Sequence, residues 1–438
     1  MCIRKSLGVI SMKRRIEDIN EKIKKGEAVV ISADNLSDMV RDGEDVKVKD
    51  VDVVTTATRG CMSGTAAVLS FHFSEPGIFE RGKMLRLNGI PAIPGPAPNE
   101  RAGYIDTIVY GTQESLHNSR YGGGHLFKDL VKGKEIEVEV DTTDGRTLEE
   151  TITIEDTNTA RIIGSRNCCK NYQAFANSKE GSVKTIFHPK CLEGAYKECS
   201  FAGCGELNPI QNDPDLEVIG IGSKILMNGA EGIILGHGTK SSPEHPFLMT
   251  TAEMYDMEPE YMGGTVTSAG VEVLNTIAIP IPILNEKTLK NAKVLDETIE
   301  LPLMDIHDRR EMGISTYGMV WKNNLKVSYD PGACKRCEEC LVEEYCPEGC
   351  FKDYTFEEER CRNCGFCTTV CDAFKCDMGD LHVICEDKDM RIPVSYRTSD
   401  RLGARKASLE LKDRIESGDF LLAPFERLEF KRRWWEQS

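Results

Sequence analysis

No apolar run in this chain reaches the length of about 20 residues that a bilayer-crossing helix needs, so membrane insertion is not expected. Met1 to Ile10 is too short an apolar segment for a secretory signal, and Met12 offers an alternative start. Basic residues are in deficit: 55 Lys and Arg against 71 Asp and Glu leave a net charge of −16. With no basic face to neutralise phosphates, nucleic acid is not an expected partner. The glycine-bearing runs Val218-Ile219-Gly220-Ile221-Gly222 and Ile233-Ile234-Leu235-Gly236-His237-Gly238 lack the spacing that opens a dinucleotide fold onto a helix. No internal repeat is present apart from two runs of cysteine. What remains has the composition of a soluble globular protein, 40% hydrophobic and 29% charged, and 438 residues suit two to three domains.

Cysteine, by contrast, is abundant, with 18 residues. Without an export signal, so many thiols point to a reducing, cytoplasmic setting. Half of them fall in one stretch: Cys334, Cys337 and Cys340, then Cys346-Pro347, then Cys350 within a spacer, and after it Cys361, Cys364, Cys367 and Cys371. Cysteines two residues apart on a tightly turning backbone direct thiolates at one iron–sulfur cube, and in two-cluster ferredoxins the last cysteine of each run ligates the other cluster. The spacing therefore assigns Cys334, Cys337, Cys340 and Cys371 to one 4Fe-4S cluster, and Cys361, Cys364, Cys367 and Cys346 to a second. Five residues rather than three precede Cys346, Asp372 stands where proline is usual, and Cys350 competes with Cys346 as a ligand. Zinc knuckles are the alternative for such pairs. Clusters of this kind suggest an anaerobe.

Along the chain, Ile16, Ile19 and Ile23 form the apolar stripe of a helix that Gly26 ends, and Ala28 to Ser32 reads as a buried strand. A second strand is expected from Val46 to Val54, delivering Cys61 into a loop of Gly, Ser and Thr with Arg59 close by to hold a thiolate. Pro91, Pro94, Pro96 and Pro98 predict a stiff surface segment unsuited to a central strand. In Tyr121-Gly122-Gly123-Gly124-His125 the glycines permit close approach of a ligand and His125 an acid or base; a tight turn explains them equally. Asp144-Gly145 centres a hairpin. Arg166 and Lys170 flank Cys168 and Cys169 and favour a thiolate there. Cys191, Cys199, Cys204 and His188 are a weakly patterned metal-site alternative. Pro280 and Pro282 confine the run Val271–Leu284 to an edge or bulge, residues 285–320 read as a linker and closing element, and the basic, aromatic end Lys431–Trp435 as a tail packed on the main domain.

Several segments together resemble the homocysteine biosynthesis family, the aspartate-semialdehyde sulfurtransferases of anaerobic archaea and bacteria. They are Ile16–Ile23, Tyr121–His125, Arg166-Asn167-Cys168, Gly205–Pro209 with Asn212-Asp213-Pro214, Ile219–Gly222 and Ile279–Asn285. The fused cluster segment resembles the branch known as methanogenesis marker 16 metalloproteins. The resemblance implies that two cysteines handle sulfur, at Cys61 and Cys168. It implies a sulfur-transfer domain over 13–320, expected to be α+β and strand-rich, while the cysteine spacing implies a ferredoxin-like domain over 325–388 and the change of character after it a C-terminal extension over 389–438 packed on the main domain.

The chemistry expected from these parts is conversion of an aldehyde, aspartate semialdehyde, to a thiol, homocysteine. Cys61 attacks as thiolate or persulfide, Cys168 resolves it as a disulfide, His125 donates a proton, and Arg59, Tyr121, Gly122, Gly123 and Gly124 bind substrate. A sulfide or persulfide donor, an external low-potential electron donor and two 4Fe-4S clusters complete the requirements, and a homo-oligomer is compatible with them. Sulfur insertion into another methanogen metabolite, and a non-catalytic electron-transfer subunit, are the alternatives.

Overall fold

The computed structural model describes residues 14–430 except 96, 171, 322–324 and 386–387. Helix α1 (Ile16–Lys25) buries Ile19 and Ile23 and stops at Gly26 in the left-handed conformation, φ 67°. Strand β1 (Val30–Ser32), helix α2 (Ala33–Arg41) and strands β2 (Val53–Cys61) and β3 (Thr65–His72) follow. Next come β4 (Gly82–Leu87), β5 (Ile90–Pro94), β6 (Tyr104–Tyr110), helix α3 (Gly123–Val131), the hairpin β7 (Ile136–Thr142) and β8 (Thr147–Ile152), and the long β9 (Thr157–Cys169). Short β10 (Ala174–Ala176) and β11 (Cys199–Phe201) precede β12 (Lys224–Met227), β13 (Ala230–His237), β14 (Phe247–Glu253), β15 (Gly263–Thr267) and β16 (Gly270–Pro282). The chain closes with α4 (Glu286–Ala292), β17 (Glu300–Asp305), β18 (Glu311–Thr316), β19 (Asp380–Cys385), β20 (Lys388–Arg397) and α5 (Arg401–Glu416).

Fourteen strands join in the order β1-β2-β16-β12-β13-β14-β9-β3-β6-β5-β4-β7-β8, with β15 added to β16. β2 and β3 are consecutive in the chain but six places apart in that order. Laid flat, six strand spacings would separate them by about 29 Å, whereas the four Cα steps from Cys61 to Thr65 reach at most about 15 Å. The sheet must therefore roll up, and the turn Met62–Gly64 crosses its seam. Cys61 stands at that seam as the last residue of a strand rather than in the loop expected of it.

The strand expected over Val46–Val54 is instead a 3₁₀ turn, Val48–Asp50, with β2 starting only at Val53. Side chains have taken the backbone groups a ladder would use: Arg14 donates to the carbonyls of Val48 (2.6 Å) and Val51 (2.8 Å), and Asp50 accepts from the Lys47 N–H (2.9 Å). The proline segment is also corrected, since β5 lies between two strands. Residues 90–92 pair only with β4 and 93–94 only with β6, so neither Pro91 nor Pro94 must serve two ladders. The same rule rescues Pro280 and Pro282 within β16, a central strand: both pair with β2, past the last residue bonded to β12.

Residues 285–320 are not a linker. They supply α4 and the first two strands of a second sheet, β18-β17-β10-β11-β20-β19, with its own apolar core around Phe201, Leu303 and Val394. The cysteine-rich segment is inserted between β18 and β19 and packs around a third core of Val327, Val342, Phe351 and Phe374. A divide at 388/389 thus cuts the β19–β20 hairpin. Helix α5 returns to the first sheet, burying Ala404, Leu411 and Ile415 in the main core against β2 and β16. The segment Lys431–Trp435 and residues 1–13 lie outside the described residues.

Candidate functional site

Side chains alternate across a strand, so Arg59 and Cys61 share one face of β2 while Thr58 and Gly60 share the other. The sequence places a cation beside Cys61 at Arg59, but Arg59 turns to Asp400 (Nε–Oδ2 3.3 Å). The cation that acts on Cys61 is Arg362, brought in by the cysteine-rich segment. Arg362 is 3% exposed; its Nε donates to Glu348 Oε1 (2.9 Å), Nη1 to the carbonyls of Arg397 and Thr398, and Nη2 to the Tyr396 hydroxyl. Burial, helped by Glu272 and Glu348 and opposed by Arg362, pushes the partly accessible Cys61 thiol up to about 12.

The segment is docked over Cys61 by specific bonds. Arg120 donates to the carbonyls of Glu344 (2.9 Å) and Cys346 (3.0 Å), the Val266 N–H to Pro347 O (3.1 Å), and the Arg397 N–H to Cys364 O (2.9 Å). The loop after Cys346 and the turn Cys361–Cys364 are thus the two pieces that bear on Cys61.

His125 is in the first turn of α3 rather than in an open loop. The Gly122 N–H donates to its Nδ1 (3.2 Å), which leaves the ring proton on Nε2, and burial lowers its basicity. A Cβ at Gly264 would meet the His125 ring at 2.0 Å. Gly264 faces away from Thr265, which shares its face with Cys61, yet the His125 imidazole feels the charge of Glu348, the carboxylate that also acts on Cys61. The three glycines serve packing: Cβ atoms at Gly122, Gly123 and Gly124 would collide with Val271, the Tyr110 carbonyl and the Gly263 carbonyl. The Tyr121 hydroxyl is held between Asn88 (3.2 Å) and Asp129 (3.1 Å).

Cys168 has Cys169 and Cys204, not Cys61, as the thiols that act on it. It is fully buried in a left-handed conformation, φ 50°, and burial together with Cys169 and Cys204 raises its thiol well above the usual range. Cys204 accepts from Thr58 Oγ1 (3.8 Å), so this thiol group meets β2 on the face away from Cys61. Three residues of strand, about 10 Å, separate Thr58 from Cys61. Arg166 acts on Cys169, not Cys168, while its Nε donates to Thr239. The set Cys191, Cys199, Cys204 and His188 is dispersed: Cys199 contacts the Ile392 and Pro393 carbonyls in the second sheet, and His188 bonds Lys190 O (2.7 Å) and Ser395 Oγ (3.2 Å).

Of the cysteine runs, Cys346, Cys350, Cys361, Cys364 and Cys367 line one enclosed apolar void. Cys350 bridges Cys346 and Cys361 through its thiol. Cys334 and Cys371 both lie by Tyr329, Cys340 packs on the same small core, and Cys337 is exposed. Among the described residues no three His, Cys, Asp or Glu side chains surround a single ion position. Glu272, Glu348 and Arg362 escape sequence reasoning. The one available signal, a charged residue inside a cysteine run, marks Arg362 but not what it faces.

The family described as homocysteine biosynthesis enzyme, sulfur-incorporation, matches residues 28–422. An uncharacterized protein of Methanothermobacter thermautotrophicus is 44% identical over 415 residues, 94% of this chain and 95% of its own length. The L-aspartate semialdehyde sulfurtransferase of Methanocaldococcus jannaschii is 36% identical over 332 residues, 72% of this chain and 62% of that protein. The protein of the same name from Methanosarcina acetivorans is 33% identical over 304 residues, 67% and 59%. No solved structure matches.

Proposed function

The chain belongs to the homocysteine biosynthesis, sulfur-incorporation family, and on that premise we propose that it transfers sulfur reductively to aspartate semialdehyde, giving homocysteine. The observation that carries this is the docking of the cysteine-rich segment over Cys61, with Arg362 and Glu348 bearing on a thiol at the sheet's seam. Cys61 adds to the aldehyde carbon. Its surroundings exclude most water, and Arg362 steadies negative charge as it develops on sulfur.

Cys346, Cys361, Cys364 and Cys367 fit one 4Fe-4S cluster, because these thiols line a common apolar void. Cys334, Cys337, Cys340 and Cys371 would hold a second; Cys334 and Cys371 lie by Tyr329 and Cys340 packs on the same core. Bound clusters would supply low-potential single electrons taken from an external donor. Aldehyde to thiol needs two electrons, which is the reason for a redox segment on this chain. Sulfide or a persulfide is the sulfur source.

The sulfurtransferase of Methanocaldococcus jannaschii aligns over only 62% of its length, and that favours a second reading, the same chemistry on another metabolite. The test is anaerobic incubation of the purified chain with aspartate semialdehyde, sulfide and a low-potential reductant. Homocysteine is expected; its absence removes aspartate semialdehyde as the substrate. Iron analysis and electron paramagnetic resonance should report two 4Fe-4S clusters, and zinc in their place would refute that part.

A further inference from the structure

Adding a thiol to an aldehyde requires a proton to leave sulfur and another to reach the new alkoxide. His125 packs against Gly264, out of phase with the face that carries Cys61, so a group on that face itself is the better candidate. Strand register identifies it. Cys61 pairs with Leu274 across β2 and β16, which puts Glu272, two residues along β16, on the same face and diagonal to Cys61. Glu272 is 5% exposed, and its Oε2 has no hydrogen-bond partner among the described residues. Thr265, directly opposite Glu272 on β15, is fully buried and its Oγ1 is equally without a partner. Buried polar atoms are nearly always paired. Two orphans facing each other beside a sulfur nucleophile therefore mark a polar spot suited to a carbonyl oxygen.

The geometry points to Glu272 as the catalytic acid–base group of Cys61, with Thr265 Oγ1 as the donor that positions the aldehyde oxygen. The step balances without a co-reactant: the Cys61 proton passes to Glu272 Oε2, the S–C bond forms as the C=O π bond opens, and Glu272 returns the proton to the alkoxide, leaving a hemithioacetal. Burial raises the Glu272 carboxyl above the ordinary range, while a Ser63 side-chain bond and the Val273 N–H oppose it. That direction brings acid and thiol closer in proton affinity. The other charges on this face are Arg362 and Glu348 at Cys61, Lys128, whose stem reaches Gly263, and Arg59, held by Asp400.

The assignment rests on Cys61 being the nucleophile of the proposed reaction, so the test reads the pair without substrate. The intact, anaerobic chain is titrated with iodoacetamide from acid to alkaline pH and the rate of Cys61 alkylation followed by peptide mass. The wild type should show an extra limb on the acid side of the thiol's own titration. That limb should vanish in Glu272→Gln and return, shifted, in Glu272→Asp. With aldehyde, Glu272→Gln should lower kcat by about 100-fold with KM little changed. A wild-type profile with no acid limb, or one retained in Glu272→Gln, overturns the pairing. A limb that behaves as expected in a protein that makes no homocysteine upholds the pairing and removes only the substrate. Thermal melting of both variants separates loss of fold from loss of proton transfer.

Discussion

Around Cys61 the neighbours are charged: Arg362 and Glu348 from the inserted segment and Glu272 from the adjacent strand. Around Cys168 they are thiols and phenols, with Cys169 and Cys204 beside it and Tyr172 and Tyr317 near the same sulfurs. Both thiols are raised by burial. Only at Cys61 is there a cation opposing the rise and a surface left open. A thiol among charges can be switched by moving a proton, whereas a thiol among thiols has no opposite charge to offset burial and exchanges sulfur only once one of the group is oxidised to a disulfide or persulfide and another is deprotonated. The two cysteines therefore sit in different electrostatic settings, one among charges and one among thiols.

The largest effect should come from Cys61→Ser, which is expected to reduce homocysteine formation by roughly 10³-fold or more while iron content is unchanged. Full activity in that variant would end the contrast, because the charged surroundings would then have no sulfur to act on. Next in size is the bond formed on mild oxidation. A disulfide needs Cα atoms about 4.4–6.8 Å apart, and adjacent cysteines bridge poorly. Cys168 should thus be recovered linked to Cys204 in peptide maps, with the link absent in Cys204→Ser. A Cys61–Cys168 peptide would show instead that β2 does not keep the two sites apart.

A smaller effect follows from charge. Glu348 pushes the Cys61 thiol up and Arg362 pulls it down. In Glu348→Gln the upward push is lost and Arg362 is released from its ion pair, so the thiolate fraction at a fixed pH below the titration must rise. For a shift of one unit, alkylation of Cys61 would quicken about tenfold. Arg362→Met has the opposite sign. Cys168 senses neither group and should be unmoved in both, and a parallel change at Cys168 would dissolve the distinction.

The cysteine runs are legible in the sequence because their spacing is local, and four of those thiols line one void. Helix α1 and the hairpin β7–β8 were equally open, since each is set by its own periodicity and turn. The rolled sheet was hidden: β2 lies beside β16, far along the chain, and no local pattern states that pairing. Prolines in β5 and β16 argued against central strands because proline removes a donor, and only the staggered pairing explains their place. Glu272 could not be found without knowing that its strand partner reaches Cys61. Arg59 misled for a simpler reason, because nearness in sequence was mistaken for a shared contact that Asp400 has taken.

The least change in chemistry, and so the sharpest test of which face matters, is expected from Gly264→Ala. The new methyl would sit 2.0 Å from His125 Nδ1, and since backbone on both sides is fixed in β15 the imidazole must move. Overpacking of this kind costs about 1–3 kcal/mol, read as a lower melting temperature. If His125 supplied the proton at Cys61, displacing its ring would lower the rate as well. With Glu272 serving the cysteine and His125 packed against Gly264, the variant should lose stability while its Cys61 alkylation profile and its kcat stay within about twofold of wild type, a window far narrower than the 10²–10⁴-fold an acid–base group contributes. A kcat that falls with the ring would return the proton to His125.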